Sequence, residues 1–136
     1  MRILVPTLAF AALALTGCAM SPADTARAQA ATEASRAALG KELAGLRPVK
    51  TDSCMNDFQT SSLRAYGSTL VYRVSGNLAY VNDTGGGCEG IERGDVLVTK
   101  SNFGQLCRGD IGHTFSPGTR VPTGSCSLGS FTTYRK

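Results

Sequence analysis

The chain has 136 residues, 42% of them hydrophobic, with 14 Lys and Arg against 10 Asp and Glu and no Trp. That is enough chain for one domain and not for two. The net charge of +4 comes from scattered basic residues, never gathered with aromatics, so a nucleic-acid partner is not expected.

The first element is a leader. Arg2 opens it, and Ile3 to Leu15 is apolar apart from Pro6 and Thr7. This run is too short to span a bilayer and fits a secretory signal. It ends in Leu15-Thr16-Gly17-Cys18, which resembles the lipobox of bacterial lipoproteins. The resemblance implies a signal peptide over 1–17, cleavage before Cys18, a diacylglycerol thioether on its sulfur and acylation of the new terminus. A thiol suits thioether attachment, whereas an ordinary signal peptide would end in an A-x-A-like site. In such lipoproteins Asp after the anchor retains the protein at the inner membrane. Ala19 therefore implies the outer membrane, with the protein facing the periplasm. Several acyl chains on Cys18 suffice for stable anchoring. No later apolar stretch is long enough to span, so the acyl chains are expected to carry the membrane contact.

The lipidated N-terminus and a helical spacer are expected over residues 18–49. Ser21 can cap a helix, Pro22 suits its first position, and Asp24 suits its positive end. Gly45 and Pro48 are stop signals after about Leu46. Leu39, Leu43 and Leu46 form a narrow stripe in the last turns, so that end should dock on the domain. The Ala-rich first half has no such stripe: a helix and a frayed tether are equally open there.

From residue 50 to 136 the apolar period drops to two. Ser68 to Val74 alternates, and Leu78 and Tyr80 continue after Ser75-Gly76-Asn77. A three-residue loop would pair Val74 with Leu78 and Tyr72 with Tyr80, gathering the large residues, with Leu70, on one face. Further strands are expected at Val96 to Thr99, Gln105 to Cys107, Asp110 to Phe115 and Ser125 to Tyr134. With frequent turn signals, this predicts a mainly β fold, a small antiparallel sandwich or barrel stapled by disulfides and preceded by one helix. Ile91-Glu92-Arg93-Gly94-Asp95-Val96 is echoed by Leu106-Cys107-Arg108-Gly109-Asp110-Ile111, two similar turn-into-strand units.

Besides Cys18 the chain has Cys54, Cys88, Cys107 and Cys126. An even count in an oxidising compartment argues for two disulfides. Three pairings are possible. Cys54–Cys126 with Cys88–Cys107 is favoured, the first joining the start of the domain to its last strand and the second stapling the echoed region. Loop entropy does not select among the pairings. No C-x-x-C occurs, so redox or zinc chemistry has little support.

With Cys54, the alternation over Leu70 to Val81, Cys88, Cys107 followed by Asp110 and Ile111, and Cys126, the chain over roughly 50 to 132 resembles a group of small exported proteobacterial lipoproteins classed as a domain of unknown function. The resemblance implies no activity.

The candidate chemistry is thin. His113 is the only histidine, with Asp110 near it in sequence and many serines, but no G-x-S-x-G marks a nucleophile. A hydrolase using His113 is a minor alternative. Gly85-Gly86-Gly87 lacks the Lys-Ser/Thr and helix of a phosphate loop and reads as a turn. Asp83, Glu89, Glu92 and Asp95 lack calcium-loop spacing. Arg93-Gly94-Asp95 and Arg108-Gly109-Asp110 read as turn exits, not adhesion motifs. Tyr72 and Tyr80 read as core. No catalytic residue, cofactor or metal is therefore expected. The leading expectation is a non-enzymatic binding or structural module in the envelope, with an envelope protein or the cell wall as partner. A second is an inhibitor of a lytic enzyme: small lipid-anchored lysozyme inhibitors are similar in size and cysteine use, though their inhibitory loop motif is not visible.

Overall fold

A computed structural model describes residues 20–55, 60–101 and 104–136. The expected signal peptide over 1–17 and the expected anchor, Cys18, lie outside these residues.

The helix α1 spans Pro22–Glu42. Ser21 caps it, its hydroxyl oxygen accepting from the Asp24 amide at 3.1 Å, with Pro22 in the first turn. The helix is intact along its Ala-rich first half, where a frayed tether was the open alternative. It ends at Glu42, earlier than expected, and Gly45 turns the chain with φ 78. No residue of α1 is fully buried. Its first half is exposed, and Leu39 and Leu43 are half-buried in the last turns. The stripe thus docks the C-terminal end alone.

Among the described residues ten strands follow: β1 (Arg47–Asp52), β2 (Cys54–Met55), β3 (Ser62–Tyr66), β4 (Thr69–Ser75), β5 (Leu78–Asp83), β6 (Val96–Thr99), β7 (Leu106–Cys107), β8 (Ile111–Phe115), β9 (Pro122–Ser127) and β10 (Phe131–Arg135). A 3-10 helix, Glu89–Arg93, separates β5 from β6. The strands form three antiparallel sheets: β1-β10-β5-β4-β3, β6-β8-β9, and the short pair β2-β7. The fold is mainly β with one α-helix in front. β1 already begins at Arg47, inside the stretch assigned to the spacer.

Tyr72 lies opposite Tyr80 as the alternation predicts, but Val74 does not pair with Leu78. Ser75 takes that place, and Val74 sits at a bulge. The bulge joins a two-residue turn, Gly76-Asn77, to the core-facing register, so the loop is shorter than expected. The single strand expected over Ser125 to Tyr134 is two. The chain leaves β9 at Leu128 and crosses to the other sheet as β10. Gly129 permits the crossing, since a Cβ there would lie 2.2 Å from the Asp83 carbonyl oxygen.

Period-two alternation puts Ala65, Leu70, Tyr72 and Phe131 on one face of the five-stranded sheet, with half-buried Leu63 and Tyr80. Met55, Leu106 and Leu128, with half-buried Ile91 and Leu97, close over that face. Tyr72 and Phe131 meet at 6.0 Å between ring centroids, and both tyrosines belong to the core. Asn82, fully buried, is satisfied by Gly129: its amide donates to the carbonyl at 2.8 Å and its oxygen accepts from the N–H at 3.0 Å.

The sheet's other face receives α1. Glu42 Oε1 accepts from Arg73 Nη2 at 2.7 Å, and the Tyr66 hydroxyl donates to Glu42 Oε2 at 3.0 Å. Burial pushes the Glu42 carboxyl up. The hydrogen bonds from Arg73 and Tyr66 and the charges of Arg73 and Arg64 outweigh that and hold it below the ordinary value.

The cysteine pairing differs from the favoured one. The disulfides are Cys54–Cys107 and Cys88–Cys126. The favoured pairing took Cys126 to sit in the last strand beside the start of the domain. Cys126 instead lies in β9, in the other sheet, and the strand beside β1 is β10. Cys54 meets Cys107 because β2 and β7 place them directly opposite.

Candidate functional site: the open face of the three-stranded sheet

In β8 the sequence Ile-Gly-His-Thr-Phe alternates large with small. The small residues are the buried ones: Gly112 and Thr114 point inward, while Ile111 and His113 face solvent. β6 follows suit, with Leu97 inward and Val96 and Val98 outward. Close packing explains the inversion. A Cβ on Gly112 would lie 2.8 Å from Leu97 Cδ1, and one on Gly124 would lie 2.3 Å from the Gly87 carbonyl oxygen. The Gly87 carbonyl lies so close to β9 that only glycine fits at 124, and the Leu97 side chain fills the space inside Gly112. Thr114, wholly buried, accepts from the Thr123 hydroxyl at 2.9 Å if Thr123 is the donor.

The larger apolar residues are therefore displaced outward. Val96 is 49% exposed, Val98 52%, Ile111 49% and Val121 55%. Scattered exposed apolar residues are ordinary, but contiguous ones mark interaction surfaces. Here Val96 pairs with Phe115 and Val98 with His113, so they are neighbours on one face. At one end of this face an open cleft of about 470 Å³ is lined by Val96, Val98, Phe115, Ser116, Pro117 and Arg120. Arg120 is the cleft's only charge. Its backbone is left-handed, φ 57, alone among the described non-glycine residues. The loop is closed by Arg120 N–H donating to Ser116 O at 2.8 Å and Ser116 N–H donating to Val121 O at 3.0 Å.

The single residues singled out in the sequence do not assemble into a site. The His113 side chain is exposed in β8 and makes no hydrogen bond among the described residues. Asp110 is occupied elsewhere, Oδ2 accepting from the Cys107 N–H at 2.7 Å, so no oriented imidazole results. The four carboxylates are dispersed. Glu89 accepts from the Gly87 N–H, Asp83 from the Gly85 N–H, Glu92 from the Ser35 hydroxyl, and Asp95 packs over Gly90. Among the described residues no group of three or more His, Cys, Asp or Glu could hold a metal. Gly85, Gly86 and Gly87 are all left-handed, and their loop is closed by its own Glu89. Both Arg-Gly-Asp copies are turn exits, with Gly94 at φ 100 and Gly109 at φ 92 leading into β6 and β8. No described helix is long and apolar enough to cross a membrane.

A second cleft, about 380 Å³, lies where α1 meets the β3–β4 turn. Its lining mixes the charges of Arg36 and Glu89 with Leu39 and Tyr66.

No family model, curated protein or solved structure matches this chain. The open face must be read from its own chemistry.

Proposed function

We propose that the chain is a lipid-anchored envelope protein of bacteria, attached through Cys18, whose β domain is a non-enzymatic binding module that docks a protein partner on the β6-β8-β9 face. The observation that carries the binding reading is the exposure of Val96, Val98 and Ile111 on one face. Removing such residues from water contributes about 25 cal/mol per Å², so an unfilled apolar face costs free energy that a partner recovers. Two disulfides suit an oxidising compartment. The exposed first half of α1 suits a spacer between membrane and domain. The outer membrane, facing the periplasm, is the location that Ala19 favours.

The test has two arms. Cys18→Ser should move the chain from the membrane fraction to the soluble envelope fraction. Photo-crosslinkers placed in cells at Val98 and at Ile111 should capture the same envelope protein, whereas one at Val49, equally exposed but on β1, should not. Identical adducts from Val49, or none from the two face positions, would sink the binding reading.

A further inference from the structure

The three-stranded sheet has a second unused feature. β6 is its edge, and among the described residues no backbone hydrogen bond outside the β6–β8 ladder reaches Val96–Thr99. The same strand supplies Val96 and Val98 to the apolar cleft. Unpaired backbone groups and an apolar trough thus lie side by side, the arrangement by which a sheet adds a foreign strand.

We propose that the β6 edge and its cleft take an extended segment of a partner protein, apolar at alternate positions and carrying a carboxylate for Arg120. This rests on the binding reading above and names the class of partner. Main-chain pairing to β6 supplies affinity without regard to sequence. Alternation follows from the pleat, because every second side chain of an added strand lies over the same face as Val96 and Val98. The carboxylate follows from charge. Lys100 flanks β6 and Arg120 lines the cleft, while the nearby acids are turned away: Asp95 packs on Gly90 and Asp110 is held by the Cys107 N–H. Arg120 sits in the left-handed conformation that non-glycine residues rarely adopt, and the loop holds it at the cleft. A bilayer fits less well, since hydrocarbon cannot satisfy the N–H and C=O groups of the free edge. A second copy of the chain fits less well too, because its β6, Val96–Thr99, carries no carboxylate for Arg120.

The experiment uses the full chain purified from the envelope and placed in nanodiscs of zwitterionic lipid. The probe is a capped heptapeptide alternating Val and Thr with one Glu, tested beside versions with Lys for Glu and with alternate N-methylated amides. Hydrogen exchange at residues 96–99 should slow at least tenfold with the Glu peptide. The N-methylated version should not protect. Arg120→Gln should weaken binding about tenfold, as expected for a charge-assisted hydrogen bond, and should reduce the preference for Glu over Lys. Arg135→Gln, on the other sheet, should change neither. Protection by anionic nanodiscs without peptide, concentration-dependent protection of the chain alone, or no protection by any peptide at millimolar concentration each overturns the proposal. The first assigns the edge to lipid and the second to self-association. If the crosslinks from Val98 and Ile111 to one protein persist in any of these cases, the binding reading survives and only the strand-addition inference falls.

Discussion

The two large sheets are built from similar residues and treat their faces differently. The five-stranded sheet is covered by the core on one side and, at β3 and β4, by the end of α1 on the other. The three-stranded sheet covers one side and leaves the other to water. The difference traces to small residues. Where β4 sends Leu70 and Tyr72 inward, β8 sends Gly112 and Thr114 inward. Inside the smaller sheet Leu97 fills the space over Gly112 and the Gly87 carbonyl abuts Gly124, so Val96, Val98 and Ile111 lie on the other side. Outward apolar residues here are thus a geometric consequence of that filled interior, and they leave a face available for use.

The comparison breaks most sharply at matched truncations. Phe131→Ala should cost about 4 kcal/mol, since it empties a fully buried site beside Tyr72. Ile111→Ala should change stability by less than about 0.5 kcal/mol. Urea unfolding measures both, and equal losses would refute the asymmetry between the sheets. Next in size is the staple that seats the smaller sheet. Replacing Cys88 and Cys126 by Ala should lower stability by about 3 kcal/mol, with hydrogen exchange rising in β8 and β9 more than in β4 and β5. Gly87→Ala tests the close approach directly. Its Cβ would lie 2.1 Å from the Ser125 carbonyl oxygen, at φ 98, so a loss of about 2 kcal/mol is expected. A neutral result would show that the seating can relax.

The smallest effect concerns the cover on the larger sheet. Glu42→Gln should cost about 1 kcal/mol, since it weakens the hydrogen bonds with Arg73 and Tyr66. Glu42 has its carboxyl pKa lowered in the folded chain, so its contribution is complete above the ordinary value of 4.5 and is lost as pH falls through the lower folded value. Amide exchange in the last turns of α1 should therefore quicken in acid in the parent chain and show a weaker pH dependence in the variant.

Much of the fold was legible where one residue type enforces one geometry. Ser21-Pro22 marks the start of α1, and the alternation of Leu70 and Tyr72 marks β4. Val96–Thr99 reads as a strand from its β-branched run. β1 was not legible, because five of its six residues are exposed and no alternation marks it. β2 and β7 are two residues each and exist through their pairing alone. The Cys54–Cys107 link was hidden for the same reason. The open face escaped notice because alternation shows that a strand has two faces, not which one is buried. In Ile111 to Phe115 the hydrophobic rule names the wrong side, and Gly112 was the available hint: a glycine inside a strand leaves room, which the Leu97 side chain fills here.

The two bridges interleave along the chain, the first cysteine of the domain joining the third and the second joining the fourth. Export of the kind proposed above, amino end first, would offer Cys54 and Cys88 to an oxidant before Cys107 and Cys126 emerge. Oxidation in order of arrival would then give a wrong link, one that thiol–disulfide exchange must undo before maturation can finish. Yield of the correctly bridged protein should accordingly depend on an isomerase, and not on an oxidase alone.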